Sequence, residues 1–550
     1  MKRLFRLALV VMMCVASTTT LRAQGGYSFG GALMDHDGMM GNDMFSLSQV
    51  NFGFGTARSM AMAGAFTSLG GDVSAMGINP AGLGMYRSNE ISFSPLMGFN
   101  NASNSAAAWG ENKQSRFAVS NLGAVLNLYE SSDTGVVSVS VGLGYNRVAD
   151  FNYRYGYSSQ SGASLAPYRS IADAFSVMMG QSGLYPDASG GLACDFRDAY
   201  YWGGILAYNN YLLDVGEDSY GKFYTTADRI GANAGVGHTV GMESRGSIGE
   251  YDISFGVNVN NKLYLGFTWG IQSVNWKRQI YYGEDYLYTS TPVYINGGAL
   301  AEPASWMDYN QYVKISGTGM NVKLGAIYRP FEALRLGVAL HTPTFYTLDR
   351  SYQAYMASDL NPAGYTTDIL EDLGQNSWDF WSPTRLMLGA SYSFGRFAIV
   401  SVDYERDWYN GMRVSNIPAG FDLSKDYYRR EFKENFKGSN TLRLGAEIKP
   451  TAQLALRAGY GVAGGALRND ESLYYNAPLT YKTTCLSAGV GYAFGATTID
   501  LAYQRVENLQ TAYMLYYAMD NAAGVFDTAS PVYRTDLNRN YFTLTVGYRF

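Results

Sequence analysis

Histidine and cysteine are scarce in this chain, three of each in 550 residues. His36, His238 and His341 stand far apart, and no His/Cys group has metal-ligand spacing. No metal and no cofactor is therefore expected, whether zinc or haem. Cys194 and Cys485 lie too far apart in sequence to argue for a bridge, and none is expected. No Gly-x-Ser-x-Gly elbow stands in a context that suits a nucleophile, so an enzyme is not expected. Basic blocks are missing too: the formal charge is −5, and nucleic acid is not expected as a partner. Beyond residue 15 no run approaches the ~20 consecutive apolar residues of a membrane helix.

What is present begins with the ends. Lys2, Arg3 and Arg6 form a basic start, Leu7 to Val15 is an apolar run, and a polar stretch ends at Leu21-Arg22-Ala23. That is the layout of a secretory signal peptide, with cleavage expected after Ala23. Met12 and Met13 precede Cys14 where a lipoprotein signal carries small residues, so lipid attachment is not expected. Residues 1–23 hold four basic residues and no acidic one, so the −5 of the whole chain becomes −9 after processing. At the other end, Phe542, Leu544, Val546, Tyr548 and Phe550 alternate with Thr543, Thr545, Gly547 and Arg549. A strand has a side-chain period of two, so this is an apolar face backed by a polar one. Closing a chain on an aromatic residue in such a strand resembles the signal read by the barrel assembly machinery, with Phe550 as the contact.

The same pattern recurs from about Glu90 onward. Val137, Val139, Val141, Leu143 and Tyr145 alternate with serine and glycine. Leu263, Leu265, Phe267 and Trp269 do likewise, as do Val322 to Tyr328, Leu334 to Leu340, Leu442 to Ile448 and Leu454 to Tyr460. The faces opposite these apolar stripes carry Arg, Lys, Glu and Gly. This suits apolar contact with outer-membrane lipid and a wet or plugged lumen. The 46 Tyr and 63 Gly fit that reading, Tyr at the membrane interfaces and Gly on a crowded inner wall. Short turns near Ser131, Asn260, Pro330, Gly395, Pro450 and Gly495 alternate with long polar connections. Short turns on the periplasmic side and long loops outside are the arrangement of an outer-membrane barrel of a Gram-negative bacterium. Pairing turns with strands gives an all-β fold: a transmembrane antiparallel β-barrel of about 14 strands. The insertion 158–247 is too long for a bare loop and should carry a helix near Leu165–Met179. The expected organisation is a signal peptide over 1–23, an N-terminal segment and periplasmic-side hatch over 24–88, and the barrel over 89–550.

Ahead of the first strand stands Gly55-Thr-Ala-Arg-Ser-Met-Ala-Met-Ala-Gly-Ala-Phe-Thr67, followed by Asp72 and Asn79-Pro80-Ala81-Gly82-Leu83. Small residues and fair helix propensity predict a short helix, ended by Gly70-Gly71. Asn-Pro predicts a turn. This run resembles the N-terminal hatch of the long-chain fatty acid transporter family (FadL), which includes toluene- and xylene-type channels. The resemblance implies a barrel plugged by a helical hatch in its lumen. It also implies uptake of hydrophobic small molecules by loop capture, lumen binding, hatch movement and lateral release. Asp72, Asn79, Pro80 and Ala81 would then belong to the gating hatch. The lateral exit would lie at a kink in the third strand, with Gly142, Gly144 and the Val148–Asp150 stretch as candidates. The chain departs from the family in Gly70-Gly71-Asp72, where an acidic segment is common, and in its large insertion.

Lys323, Arg335, Arg385, Arg443 and Arg457 all fall on lumen faces, most of them near short turns. They are expected to form a basic belt that tethers the hatch through Asp72 and carbonyl groups, with Glu447 and Asp500 balancing charge. The alternative is contact with a substrate carboxylate, whose geometry Arg matches. His341 is placed at the outer end of a strand, as a loop residue. The rival to transport is a surface-binding, adhesin-like barrel, which has little need of a hatch; a general porin would have none.

Overall fold

The computed structural model describes residues 27–550 apart from 31–32, 35–40, 50–51, 105–106, 109, 111, 132–133, 161–169, 195–200, 219–220, 231–234, 288–292, 296–298, 302–303, 369–376, 418–423, 467, 469–481, 514, 521–524 and 531–532. The expected signal peptide, 1–23, lies outside the described residues. Among the described residues no helix is long and apolar enough to cross a bilayer.

Fourteen antiparallel strands close on themselves. They are β1 (Glu90–Asn104), β2 (Lys113–Glu130), β3 (Val136–Asp150, resumed as Tyr153–Gln160), β4 (Gly235–Val259) and β5 (Leu263–Leu287). Next come β6 (Trp306–Phe331), β7 (Leu334–His341, resumed as Phe345–Ser358), β8 (Ser377–Trp381, resumed as Arg385–Phe394) and β9 (Ala398–Trp408, then Arg413–Asn416). The circuit ends with β10 (Gly438–Ile448), β11 (Leu454–Gly464), β12 (Lys482–Phe494), β13 (Thr497–Tyr513) and β14 (Tyr533–Arg549). Closure pairs Ile91 with Tyr548 and Phe93 with Val546. The apolar face of the C-terminal strand thus faces outward beside the first strand. The β4–β5 turn has Asn260 and Asn261 at φ +55° and +56°. Asn tolerates this left-handed pair, which a two-residue hairpin needs to match strand twist. Val137 is 4 % exposed and departs from the outward set of β3, because the register shifts between Val136 and Ser138.

Long strands give the barrel two storeys. On β5 the outward positions Leu265, Phe267 and Trp269 are exposed hydrophobics. Four residues further, outward positions become Ser273, Asn275, Lys277 and Gln279, while Val274, Trp276 and Ile280 are buried inside. On β6, Leu324 and Tyr328 point out near the short turns, whereas Met307, Tyr309, Val313 and Ile315 are buried inside further up. On these two strands the alternation does not slip; only the chemistry of the two faces is exchanged. The lower storey is built for lipid and the upper one for water.

Inside the upper storey lies one apolar core. The insertion supplies helix Ile171–Ser182, capped by Ser170, and a second helix, Trp202–Asn209. The helix thus starts six residues and ends three residues later than the sequence suggested, and part of the predicted span lies outside the described residues. Tyr428 and Phe432 come from helix Lys425–Asn435. Leu33, Met34, Met44, Phe45 and Leu47 of the N-terminal segment join the same core. Strand Tyr27–Gly30 pairs with Tyr517–Asp520 in the connection between β13 and β14. The span 24–88 therefore divides. Its first part belongs to the upper storey, and the chain then descends through the lumen to the hatch. Tyr27–Gly30 also lies in a Gly-x-Ser-x-Gly spacing, Gly26-Tyr27-Ser28-Phe29-Gly30, but it is a strand and not the strand-to-helix turn of a nucleophile elbow.

Candidate functional site: hatch, cavity and seam

The hatch consists of helix Ala57–Ala61, a looped return, helix Ala75–Ile78 and a 3-10 turn over Pro80–Met85. The predicted single helix is shorter than propensity suggested, because Ala63 and Gly64 take positive φ and turn the chain. Thr56 caps the first helix, its side chain accepting from Ser59 N. The same hydroxyl donates to Asp72 at 2.9 Å, and Asp72 also accepts from Ser74 N and Oγ at 2.9 and 2.6 Å. Asp72 thus ties the two ends of the hatch loop together. Asn79 accepts from Ala81 N at 3.1 Å and donates to Thr67 O at 2.6 Å, while Pro80 opens the 3-10 turn with its missing N–H where none is needed.

This knot is seated against the wall, backbone to backbone. A side chain at Gly266 would overlap Ala81 N and Pro80, one at Gly325 the Asn79 side chain, and one at Gly337 the Thr67 carbonyl. The inner wall needs glycine there because the hatch approaches closely, by its backbone at Gly266 and Gly337 and by the Asn79 side chain at Gly325. Gly142 and Gly144 serve the same end. Both pair regularly, with Val125 and Gly123, and an added Cβ at Gly142 would lie 2.6 Å from Met76 Sδ. Wall hydroxyls then satisfy hatch backbone. Ser120 bonds both N and O of Gly55, Thr545 accepts from Ala57 N at 2.7 Å, and Ser487 bonds Ala61 O and Ala63 N. Asp403 accepts from Thr67 N at 2.7 Å. His341, expected in a loop, is buried and its Nε2 lies 2.9 Å from Ile78 O. Its strand end faces the hatch because β7 breaks there and resumes above.

The five basic lumen residues do not meet at Asp72. Lys323 pairs with Glu250 and Asp252, and Arg443 with Glu405. Arg457 pairs with Glu447 and Asp500, and Arg385 with Asp407 at 3.4 Å. Arg335 has no ion-pair partner among the described residues. The wall carboxylates take up most of this charge, so the belt is neutralised in place. Two members still reach the N-terminal segment: Arg385 donates to Ser48 O at 2.7 Å, and the Arg443 guanidinium lies 5.3 Å from the Phe52 ring centre. The hatch's own ion pair has the reverse polarity, Arg58 reaching wall Glu447 at 3.1 Å. Arg58 sits in the run quoted for the hatch, but its partner is 389 residues away and nothing local in the sequence marks it.

Between hatch and wall lies a cavity of about 150 Å³. Phe52, Phe54, Met60, Ile78, Val148 and Met387 give it apolar surface; Arg147, Glu250, Arg385, Glu405 and Arg443 give it charge. Asn146, Arg147 and Val148 belong to β3, and here the wall changes. The β2–β3 ladder runs from Glu130–Ser138 to Asn121–Asn146 and ends. Above it, Lys113 to Val119 pair with β1 alone. β3 shifts register between Arg147 and Ala149, breaks at Phe151–Asn152, and resumes against β4. Among the described residues, the next backbone pairing above the gap is between Ala107–Ala108, in the β1–β2 connection, and Tyr157–Ser158. A seam without backbone ladder therefore stands beside the cavity. The irregularity lies in the Val148–Asp150 stretch and just after it, above Gly142 and Gly144. Cys485, buried, and Cys194, exposed, occupy different storeys.

No family model matches the chain, and no curated protein matches it in sequence. Solved structures do. A Pseudomonas aeruginosa FadL homologue covers 92 % of this chain and 99 % of its own, at 14 % identity and a TM-score of 0.51. The Pseudomonas putida toluene transporter TodX covers 92 % and 100 %, at 14 % identity and a TM-score of 0.49. The CymD monoaromatic hydrocarbon channel covers 90 % and 98 %, at 14 % identity and a TM-score of 0.47. A closed 14-strand barrel with an N-terminal plug, matched over nearly its whole length by the first of these, has the fold of the FadL homologue.

Proposed function

We propose that this chain is an outer-membrane channel for uptake of hydrophobic molecules, such as long-chain fatty acids or aromatic hydrocarbons. The observation that carries the reading is the cavity: part apolar, bounded by the hatch, and beside a seam in the wall. The names of the similar structures, a FadL homologue and toluene transporters, point the same way. In this reading the extracellular loops capture substrate, which passes the upper core and reaches the cavity. Movement of the hatch then frees it to leave sideways through the seam. Lateral release suits an apolar cargo, because each CH₂ delivered to hydrocarbon and not to water gains ~0.8 kcal/mol. Asp72, Asn79, Pro80 and Ala81 hold the hatch in its seat. The basic residues serve the wall and the N-terminal segment first, and Arg385 and Arg443, which line the cavity, are placed to meet an acidic head group. No step calls for a cofactor or a catalytic residue. Outer-membrane lipid covers the lower storey, and Phe550 serves assembly.

The test is uptake of a labelled long-chain fatty acid and of toluene by cells making the intact protein or a version lacking 55–83. Uptake that requires the protein and changes without the hatch supports transport. No uptake of either compound, with insertion verified, moves the assignment to a surface-binding barrel.

A further inference from the structure

The seam between β2 and β3 is shut by side chains where a barrel ordinarily uses its backbone, and one residue does most of this. Asn152 lies in the break of β3 and is 2 % exposed. Its Oδ1 accepts from Arg116 on β2 and from Gly246 N on β4 at 3.3 Å. Its Nδ2 donates to Gly246 O at 3.0 Å and to Asp150, which also accepts from Asn152 N at 3.0 Å. Its carbonyl accepts from Asn100 on β1. One buried residue of β3 thus ties three strands, its side-chain amide holding β2 and β4 and its carbonyl holding β1. Higher in the seam Asn112 Oδ1 accepts from Gly156 N at 2.7 Å. Opposite the break, Gly246 has φ +136°, and an added Cβ would overlap Asn275 O, so the backbone is shaped to receive the amide.

We propose that Asn152 is the clasp of a lateral gate: a positioning residue whose side-chain bonds, together with Asn112, keep the seam shut until substrate arrives. This rests on the reading of the seam as the exit. A backbone ladder opens only by breaking hydrogen bonds in a row, each leaving a donor and an acceptor that hydrocarbon cannot satisfy. A side-chain clasp opens by rotating a few torsions, and Arg116 and Asn100 can turn toward the loops. Cavity residues Asn146, Arg147 and Val148 immediately precede the clasp on β3, so occupation of the cavity acts on it directly.

Hydrogen exchange and uptake together test this in the full chain, on a Cys194→Ser background. Asn152→Ala should speed exchange of amides 113–120 about tenfold, the loss of one or two net hydrogen bonds, while amides 121–127 in the ladder stay as they were. Bridging Arg116→Cys and Asn152→Cys with a short bismaleimide should stop uptake of the labelled fatty acid that the unbridged double variant still carries. Unchanged exchange in Asn152→Ala, or undiminished uptake in the bridged protein, overturns the clasp and leaves the transport reading standing. Faster seam exchange with no uptake of fatty acid or toluene even by the wild-type chain removes the transport reading and the gate with it. Asn152→Asp, which keeps the size but loses the donor to Gly246 O and to Asp150 and sets two carboxylates side by side, should speed exchange of amides 113–120 at least as much as Ala.

Discussion

The two storeys of this barrel use the same strands, the same alternation and opposite chemistry. On β5, Phe267 and Trp269 face outward below while Thr268 and Gln272 face in; above, Asn275 and Lys277 face outward while Trp276 and Ile280 face in. The lower storey borrows its apolar contact from lipid and fills its lumen with a plug held by hydroxyls, carboxylates and glycine. The upper storey stands in water and must bury its own apolar surface, which it does with loops, helices and the N-terminal segment. The comparison teaches that surroundings, and not strand geometry, decide which face is greasy. It also places the cavity at the boundary, with charge from one storey and aromatic rings next to the other.

The strongest way to break the lower storey is from within. Gly266→Val would drive a side chain into Ala81 N and Pro80, a backbone that cannot step aside. The hatch should be expelled from its seat, and planar-bilayer recordings should turn from silence to steady conductance. An unaltered closed trace would mean that the seat is looser than this packing implies.

The comparison itself sharpens with a matched pair. Trp276→Ala removes a buried upper-storey side chain and should cost about 3–5 kcal/mol of stability. Phe267→Lys puts charge into the lipid belt and should cost about 2–4 kcal/mol near mid-membrane. Asn275→Lys, outward but above the belt, should stay within about 0.5 kcal/mol. Unfolding of the three variants in lipid vesicles measures this, and equal penalties for Phe267→Lys and Asn275→Lys would deny the storey boundary. Smaller than the Trp276 and Phe267 penalties is that of Arg58→Gln. Arg457 still accompanies Glu447, so the loss should be about 1 kcal/mol, read as faster exchange of hatch amides 57–65.

Much of this was legible in the sequence, for a physical reason. A strand in lipid must show an apolar face, so Leu265–Phe267–Trp269 and Phe542–Leu544–Val546 declare themselves by period alone. The glycines opposite could be read as crowding, but not as contacts with Pro80 or Met76, since nothing local tells a lumen glycine what approaches it. The basic belt was visible as residues and not as pairs: Glu250 reaches Lys323 and Glu405 reaches Arg443 only after closure brings the strands together. The seam was legible only through the resemblance, which pointed to the Val148–Asp150 stretch, and not from the residues that face it on β2. Lys113–Val119 read Lys-Gln-Ser-Arg-Phe-Ala-Val, which marks no lost partner, and the missing ladder is a property of their neighbour.

The smallest expected effect concerns how the upper storey is latched. Glu284, buried at the loop end of β5, accepts from Ser170 Oγ at 2.6 Å, Ile171 N at 2.7 Å and Tyr282 OH at 2.6 Å. It therefore caps the insertion helix Ile171–Ser182 from the barrel wall. Around it stand Tyr286, Tyr516 and His238, which bonds Tyr282 at 2.8 Å; burial pushes His238 down to about 4, so it is neutral above that pH. None of these neighbours brings a positive charge, and burial raises the Glu284 carboxyl above its ordinary range despite the donors that oppose the shift. The sign follows: an undocked helix leaves this carboxyl solvated with the lower pKa. Docking is therefore fully supported below the ordinary carboxylate value and weakens as pH rises through the raised one. A spin label at Gly180, where an added side chain meets nothing, should report a more mobile helix as pH rises from about 4 to 8. Glu284→Gln, neutral at every pH, should flatten that profile, the helix staying as docked as it is at low pH. A profile identical in both proteins would show that the latch is held by packing alone, and that the upper storey, like the lower, is closed mainly by shape.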